Sequence, residues 1–182
     1  RNFVDLANDF ASRGYVTASI NYRLLGDNPP PALPNPPIDE DPRYDAIVAG
    51  IEDTFHAISW MKSSAATFNI DVDRIVLGGH SAGGFLSNYA GMVDGPDIVG
   101  LSDMTLDISQ LDVAAVLDGA GGINGQEHVI DANDPPTFIM HSTDDPVVLI
   151  AEANTLAAEL TADGVAFEFP VITNAGHGLD TK

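Results

Sequence analysis

A serine, two aspartates and a histidine stand out before any element of structure is drawn. Ser81 lies in Gly79-His80-Ser81-Ala82-Gly83, within VLGGHSAGGFL at 77–87. A serine hydroxyl is a weak nucleophile until a base takes its proton, and the base needs an acid to orient it. Further along come Asp144 and Asp145 ahead of Pro146, then His177 between Gly176 and Gly178. The chain order is therefore serine, acid, histidine, the parts for acyl transfer. Either aspartate suits the acid role, and Asp145 also suits a helix cap before proline. His177, flanked by glycines, is the candidate base. The other histidines are weaker candidates: His56 has helical surroundings, His128 an irregular stretch, His80 the elbow itself, and His141 a strand end that suits a structural hydrogen bonder.

Those residues need elements to hold them. Short apolar runs read as strands at 15–20 (YVTASI), 74–79, 113–119, 137–142 and 165–172 (VAFEFPVI). Helical spacing fills 45–63, where Ile47, Ile51, Phe55, Ile58 and Met61 recur every three or four positions. It returns after Ser81 with Phe85, Leu86, Tyr89, Ala90 and Val93. A helix over 147–163 is bracketed by Pro146 and Gly164. Residues 1–13 also read as helical. Strands without strict alternation, separated by helices, predict an α/β fold: a mostly parallel sheet with helices on both faces, in a single domain spanning 1–182.

In that frame G-x-S-x-G falls between a strand and a helix, the context that a nucleophile elbow requires. The serine sits on a sharp corner, so the positions two before and two after it, Gly79 and Gly83, must lack bulk. Its hydroxyl then projects at a helix start, where the partial positive charge favours a developing oxyanion. The amide of Ala82 is the expected oxyanion donor. The proline-rich 26–45 segment, with seven of twelve prolines, reads as a loop at the carboxyl end of its strand, either a cleft rim or a solvent connection.

Composition narrows the partners. Seven Lys+Arg against 27 Asp+Glu give a formal charge of −20. Such a surface repels phosphate backbones and anionic lipid, which argues against nucleic-acid or membrane-surface partners. No run approaches the roughly 20 apolar residues of a membrane span. Without cysteine there is no disulfide, thiolate metal site or cysteine nucleophile. The acidic DEDPRYD stretch at 39–45 lacks the ligand spacing of a calcium loop. A secreted protein and a cytoplasmic one from a salty habitat share this composition.

Three stretches resemble the α/β-hydrolase superfamily, in particular carboxylesterases and lipases related to hormone-sensitive lipase and small feruloyl or acetyl esterases. GYVTASINYRLL at 14–25 looks like the strand ending in Tyr-Arg-Leu, and DRIVLGGHSAGGFLS at 73–87 like the elbow. HSTDDPVV at 141–148 is similar to H-G-x-x-D-x-x-V, with Ser142 where glycine is usual. The resemblance implies a Ser81, His177, Asp145 triad cleaving a small-molecule carboxylic ester, with no metal or organic cofactor. It also implies a fairly open cleft, since 63 residues separate Ser81 from Asp145.

Two departures accompany it. No His-Gly-Gly oxyanion loop precedes the first helix, and the chain stops soon after His177. The expectation is a catalytic core lacking the leading strands and last helix, belonging to a longer protein or compensating by homo-oligomerisation. Two other readings stay open. A prolyl-oligopeptidase-type serine peptidase shares elbow and triad order but usually has an aromatic after the nucleophile, where this chain has Ala82. A non-catalytic α/β module fits the missing loop.

Overall fold

A computed structural model describes residues 3–29, 42–93, 101, 106–123 and 125–179. Helix α1 (Phe3–Ala11) is followed by α2 (Pro42–Ser63), the short α3 (Ala65–Phe68), β1 (Val76–His80) and α4 (Ala82–Met92). Then come β2 (Ala115–Gly119), β3 (Thr137–Ser142), α5 (Ile150–Asp163), β4 (Phe167–Glu168) and β5 (Val171–Ile172). The strands form a parallel sheet in the order β1-β2-β3-β4, with β5 also pairing β3. The α/β class expected from the alternation is the class observed.

Register explains which strand residues meet the core. Gly79 pairs with Asp118, and Asp118 with Ile139. Val116, Asp118 and Ala120 therefore share one sheet face with Thr137, Ile139 and His141, and all six are buried. The apolar core gathers there from Ile51, Phe55 and Ile58 of α2, Leu86 and Tyr89 of α4, and Leu156 and Leu160 of α5. On the alternate positions Leu117, Phe138 and Met140 are only half-buried. Along α2 the expected stripe holds at its centre, while Ile47 is exposed and Met61 half-buried.

Several boundaries differ from the sequence reading, each for a local reason. Residues 15–20 join no ladder, and all six are exposed. A strand is stabilised by cross-strand pairs and burial, and this stretch has neither. The 165–172 run divides around Pro170, which has no N–H to give a ladder. α5 begins at Ile150 instead of 147, because Asp145 Oδ1 accepts from the amides of Val147 (2.8 Å) and Val148 (3.0 Å) and turns the chain before the helix. At its end Gly164 takes φ 77° and donates to the Leu160 and Thr161 carbonyls, as the terminal glycine implied. Of the proline-rich segment, 30–41 lie outside the described residues, and α2 already begins at Pro42. Most of the acidic 39–45 stretch meets the same two fates.

Candidate active site

Every residue of the expected set stands at the carboxyl end of a strand. Ser81 follows β1 directly and precedes Ala82, the first residue of α4. Its backbone is at φ 57°, ψ −122°, a sparsely populated region for a non-glycine residue that costs on the order of 1–3 kcal/mol. The surroundings hold it there: Ser81 N–H donates to the Gly119 carbonyl on β2 (2.7 Å), and the Ser81 carbonyl accepts from Phe85 (3.1 Å). Ala82 contributes one of the amides that have no acceptor inside the helix.

The glycines around the corner divide differently from the expectation. A Cβ on Gly79 would run into the Gly83 backbone, so Gly79 is obligatory. A Cβ on Gly83 would meet open space. Gly84, one residue on, carries the second constraint, because a side chain there would strike Asp118 and the Gly121 backbone. The close approach thus joins α4 to β2 as well as to β1.

The two aspartates separate cleanly. Asp145 Oδ2 accepts from His177 Nδ1 at 2.8 Å while Oδ1 holds the two turn amides, so one carboxylate both orients the ring and caps the turn. Burial pushes the Asp145 carboxyl up, but the His177 hydrogen bond and the Val147 and Val148 amides outweigh it and leave it below its ordinary range. An ionised Asp145 only accepts, so the His177 proton sits on Nδ1 and Nε2 is left as the ring's acceptor. Asp144 does not touch the ring. It accepts from Ser142 Oγ (2.5 Å) and from Gly176 N–H (3.2 Å), which lower its carboxyl, and Ser142 Oγ accepts from Ala175 N–H (3.2 Å). Asp144 and Ser142 therefore tie down the loop that carries His177. Gly176 in that loop is at φ 58°, which explains a glycine beside the base.

His80, the residue before Ser81, packs against His177. Its Nε2 lies 2.5 Å from the His177 carbonyl, and the two rings are 4.8 Å apart at 52°. Ser81 is the next residue along the chain, and no hydrogen bond between it and His177 occurs among the described residues. His141 is fully buried behind Asp145, with Nε2 2.9 Å from the Val148 carbonyl and 3.5 Å from Asp145 Oδ2. It is the structural bonder expected of it. His56 and His128 are exposed on a helix and a short turn away from this cluster. His56 lines, with Lys62 and Asp107, a cavity of about 520 Å³ whose lining includes none of Ser81, Asp145 and His177. Among the described residues, no group of three or more His, Asp or Glu is placed to hold a metal ion, and no helix is long and apolar enough to cross a membrane.

The sequence reading missed one feature. Asp118, in the apolar VAAVLDG strand, is 1% exposed and hydrogen-bonded to Asn88 and Gly121. A carboxylate amid an apolar strand was the available signal, but its partners are visible only in three dimensions.

Comparison with known proteins bears on this geometry. The BD-FAE family model matches residues 43–127, and the prolyl oligopeptidase family model residues 121–182. No curated protein matches the chain. A thermophilic esterase from the planctomycete Thermogutta terrifontis is 24% identical with a TM-score of 0.75, over 97% of this chain and 66% of its own. A truncated carbohydrate esterase from gut microbiota is 26% identical with a TM-score of 0.60, over 73% of this chain and 64% of its own. An acetyl ester-xyloside bifunctional hydrolase from Caldicellulosiruptor lactoaceticus is 22% identical with a TM-score of 0.61, over 72% and 57%. The chain spans about two thirds or less of the length of these structures. By fold it is an α/β hydrolase of the kind that carboxylesterases adopt.

Proposed function

We propose that this chain is the catalytic core of a serine hydrolase that cleaves carboxylic esters through an acyl-enzyme. Ser81 Oγ attacks the ester carbonyl carbon as His177 Nε2 takes its proton, and the Ala82 amide stabilises the oxyanion. Collapse of the tetrahedral intermediate breaks the bond to the alcohol oxygen, which leaves with the proton from His177. Water then repeats the sequence on the acyl-Ser81 ester and releases the acid. Asp145 keeps the His177 proton on Nδ1 and stabilises the imidazolium.

The observation that carries this reading is the 2.8 Å Asp145–His177 hydrogen bond beside a serine on a strained strand-to-helix corner. Further support comes from the neighbours. The Thermogutta terrifontis esterase is phosphorylated by paraoxon and has been seen with propionate and butyrate bound, which favours a short acyl group here too. Hydrolysis of a p-nitrophenyl ester series by this chain and its Ser81→Ala variant is the test. The expected result is turnover peaking at short acyl chains and a loss of about 10⁴-fold or more in the variant. Undiminished hydrolysis by Ser81→Ala would remove Ser81 from the role.

The prolyl oligopeptidase match over 121–182 favours a second reading, a serine peptidase using the same three residues. A clear preference for amide over matched ester substrates would select it.

A further inference from the structure

Behind the elbow lies a buried polar pair to which the proposed reaction assigns no part. Asp118 ends the core-facing row of β2, and Asn88 is fully buried on α4. Asp118 Oδ1 accepts from Gly121 N–H at 2.9 Å. Asn88 Nδ2 donates both to Asp118 Oδ2 (3.1 Å) and to the Gly122 carbonyl (2.9 Å), while Asn88 Oδ1 has no partner among the described residues. Neither oxygen facing that amide can donate when the carboxylate is ionised, so the contacts fix which way the amide points. Together these bonds define the turn 119–122. The Gly119 carbonyl of that turn holds the Ser81 amide at 2.7 Å.

We propose that Asp118 is a positioning residue for the nucleophile: with Asn88 it fixes the 119–122 turn, and through Gly119 it holds Ser81 in its strained corner. The inference rests on the nucleophile reading above.

A carboxylate here is an expensive choice. Burial raises Asp118 from 3.8 to about 6, against the opposing pull of the Asn88 and Gly121 hydrogen bonds and of His141. Asn88 faces it from α4 and His141 from β3, while Glu152 of α5 lies against Gly122 on the far side of the turn. A proton on Oδ2 needs an acceptor; of the two buried atoms without a partner among the described residues, Asn88 Oδ1 and His141 Nδ1, Asn88 Oδ1 belongs to the amide already bonded to Oδ2. Turning the amide to offer it takes the donor away from Gly122. The ionised form therefore holds the turn, and protonation loosens it.

The test uses the full chain and a fluorophosphonate probe. In the labelling step the serine oxygen–phosphorus bond forms, the phosphorus–fluorine bond breaks, fluoride leaves and the hydroxyl proton passes to the base. Labelling rates are read against pH beside melting temperatures. Wild type is expected to label at Ser81, at a rate that falls below about pH 6 more steeply than one proton explains. Asp118→Asn keeps the acceptor for Gly121 but reverses the Asn88 amide. At about pH 8 it should label roughly tenfold more slowly, with a single-proton acid limb, and without a lowered melting temperature because a buried charge has gone.

Equal rates and profiles for the two proteins overturn the inference while leaving the nucleophile reading intact. A slowing that tracks a lowered melting temperature also overturns it, as the mark of a structural role alone. Wild type that takes no label on Ser81 overturns both. Should Asp118→Asn fail to fold, Asn88→Ala is read instead. It strips the carboxylate of a donor, so the acid limb should move to higher pH, and an unmoved limb overturns the inference. If neither variant folds, a single-proton limb in wild type is enough to do so.

Discussion

Two six-residue stretches, YVTASI at 15–20 and TFIMHS at 137–142, look alike in sequence, and the first is the richer in β-formers. Only the second is a strand. It pairs with β2 on one side and with β4 and β5 on the other, and its core-facing residues Thr137, Ile139 and His141 are buried. The first has no ladder, six exposed residues, and α1 before it without one buried side chain. The comparison teaches that a strand is a relation between segments and not a property of one. Propensity proposes; a neighbour on the sheet decides.

Substitutions sharpen that contrast. Ile139→Ala, at a site with no exposure, should lower stability by about 3–4 kcal/mol in chemical denaturation. A loss under about 1 kcal/mol would mean that the β3 layer is far looser than drawn.

Acid titration comes next. Folded Asp118 keeps, between about pH 4 and 6, a proton that the unfolded chain has released. Stability should therefore fall as pH rises through that window, by about 3 kcal/mol from this group, and Asp118→Asn should flatten the fall. Asp145 acts with the opposite sign. Its lowered carboxyl contributes stability above the unfolded carboxylate range, and that contribution disappears as acid titrates the folded group. Denaturation curves across this range, in wild type and Asp118→Asn, separate the two.

Arg23 tests where the first region is attached. Its guanidinium bonds Glu52 (2.7 Å) and Asp53 (3.0 Å) on α2, and Asp53 above all, with Glu52, raises its pKa against the opposing effect of burial. Arg23→Met should release the segment at a cost of about 2 kcal/mol, read as cleavage within 15–25 accelerated roughly tenfold under limited proteolysis. Unchanged cleavage would show that other contacts hold it. The smallest effect belongs to Ile20→Ala, at 39% exposure, which should stay within about 0.5 kcal/mol. A loss comparable to that of Ile139→Ala would erase the contrast altogether.

The same comparison explains what the sequence could disclose. The corner at Ser81 was legible because close backbone approach demands glycine, and the demand is written locally. Asp145 and His177 were legible through chain order, and β3 through its apolar run bounded by Pro135-Pro136 and Asp144. What stayed hidden depends on partners distant in sequence. Gly84 is constrained by Asp118 and Gly121, Asp144 is explained by Gly176, and the fate of 15–20 by the absence of a ladder.

The bond from Ser81 to Gly119 has a kinetic meaning as well. Parallel pairing between β1 and β2 spans a long crossover, and such non-local contacts form slowly. The serine's left-handed backbone is unfavourable on its own, so it is adopted only once that crossover has closed and α4 has docked. Along the folding route the chain carries Ser81 throughout, but it acquires this corner only at the end.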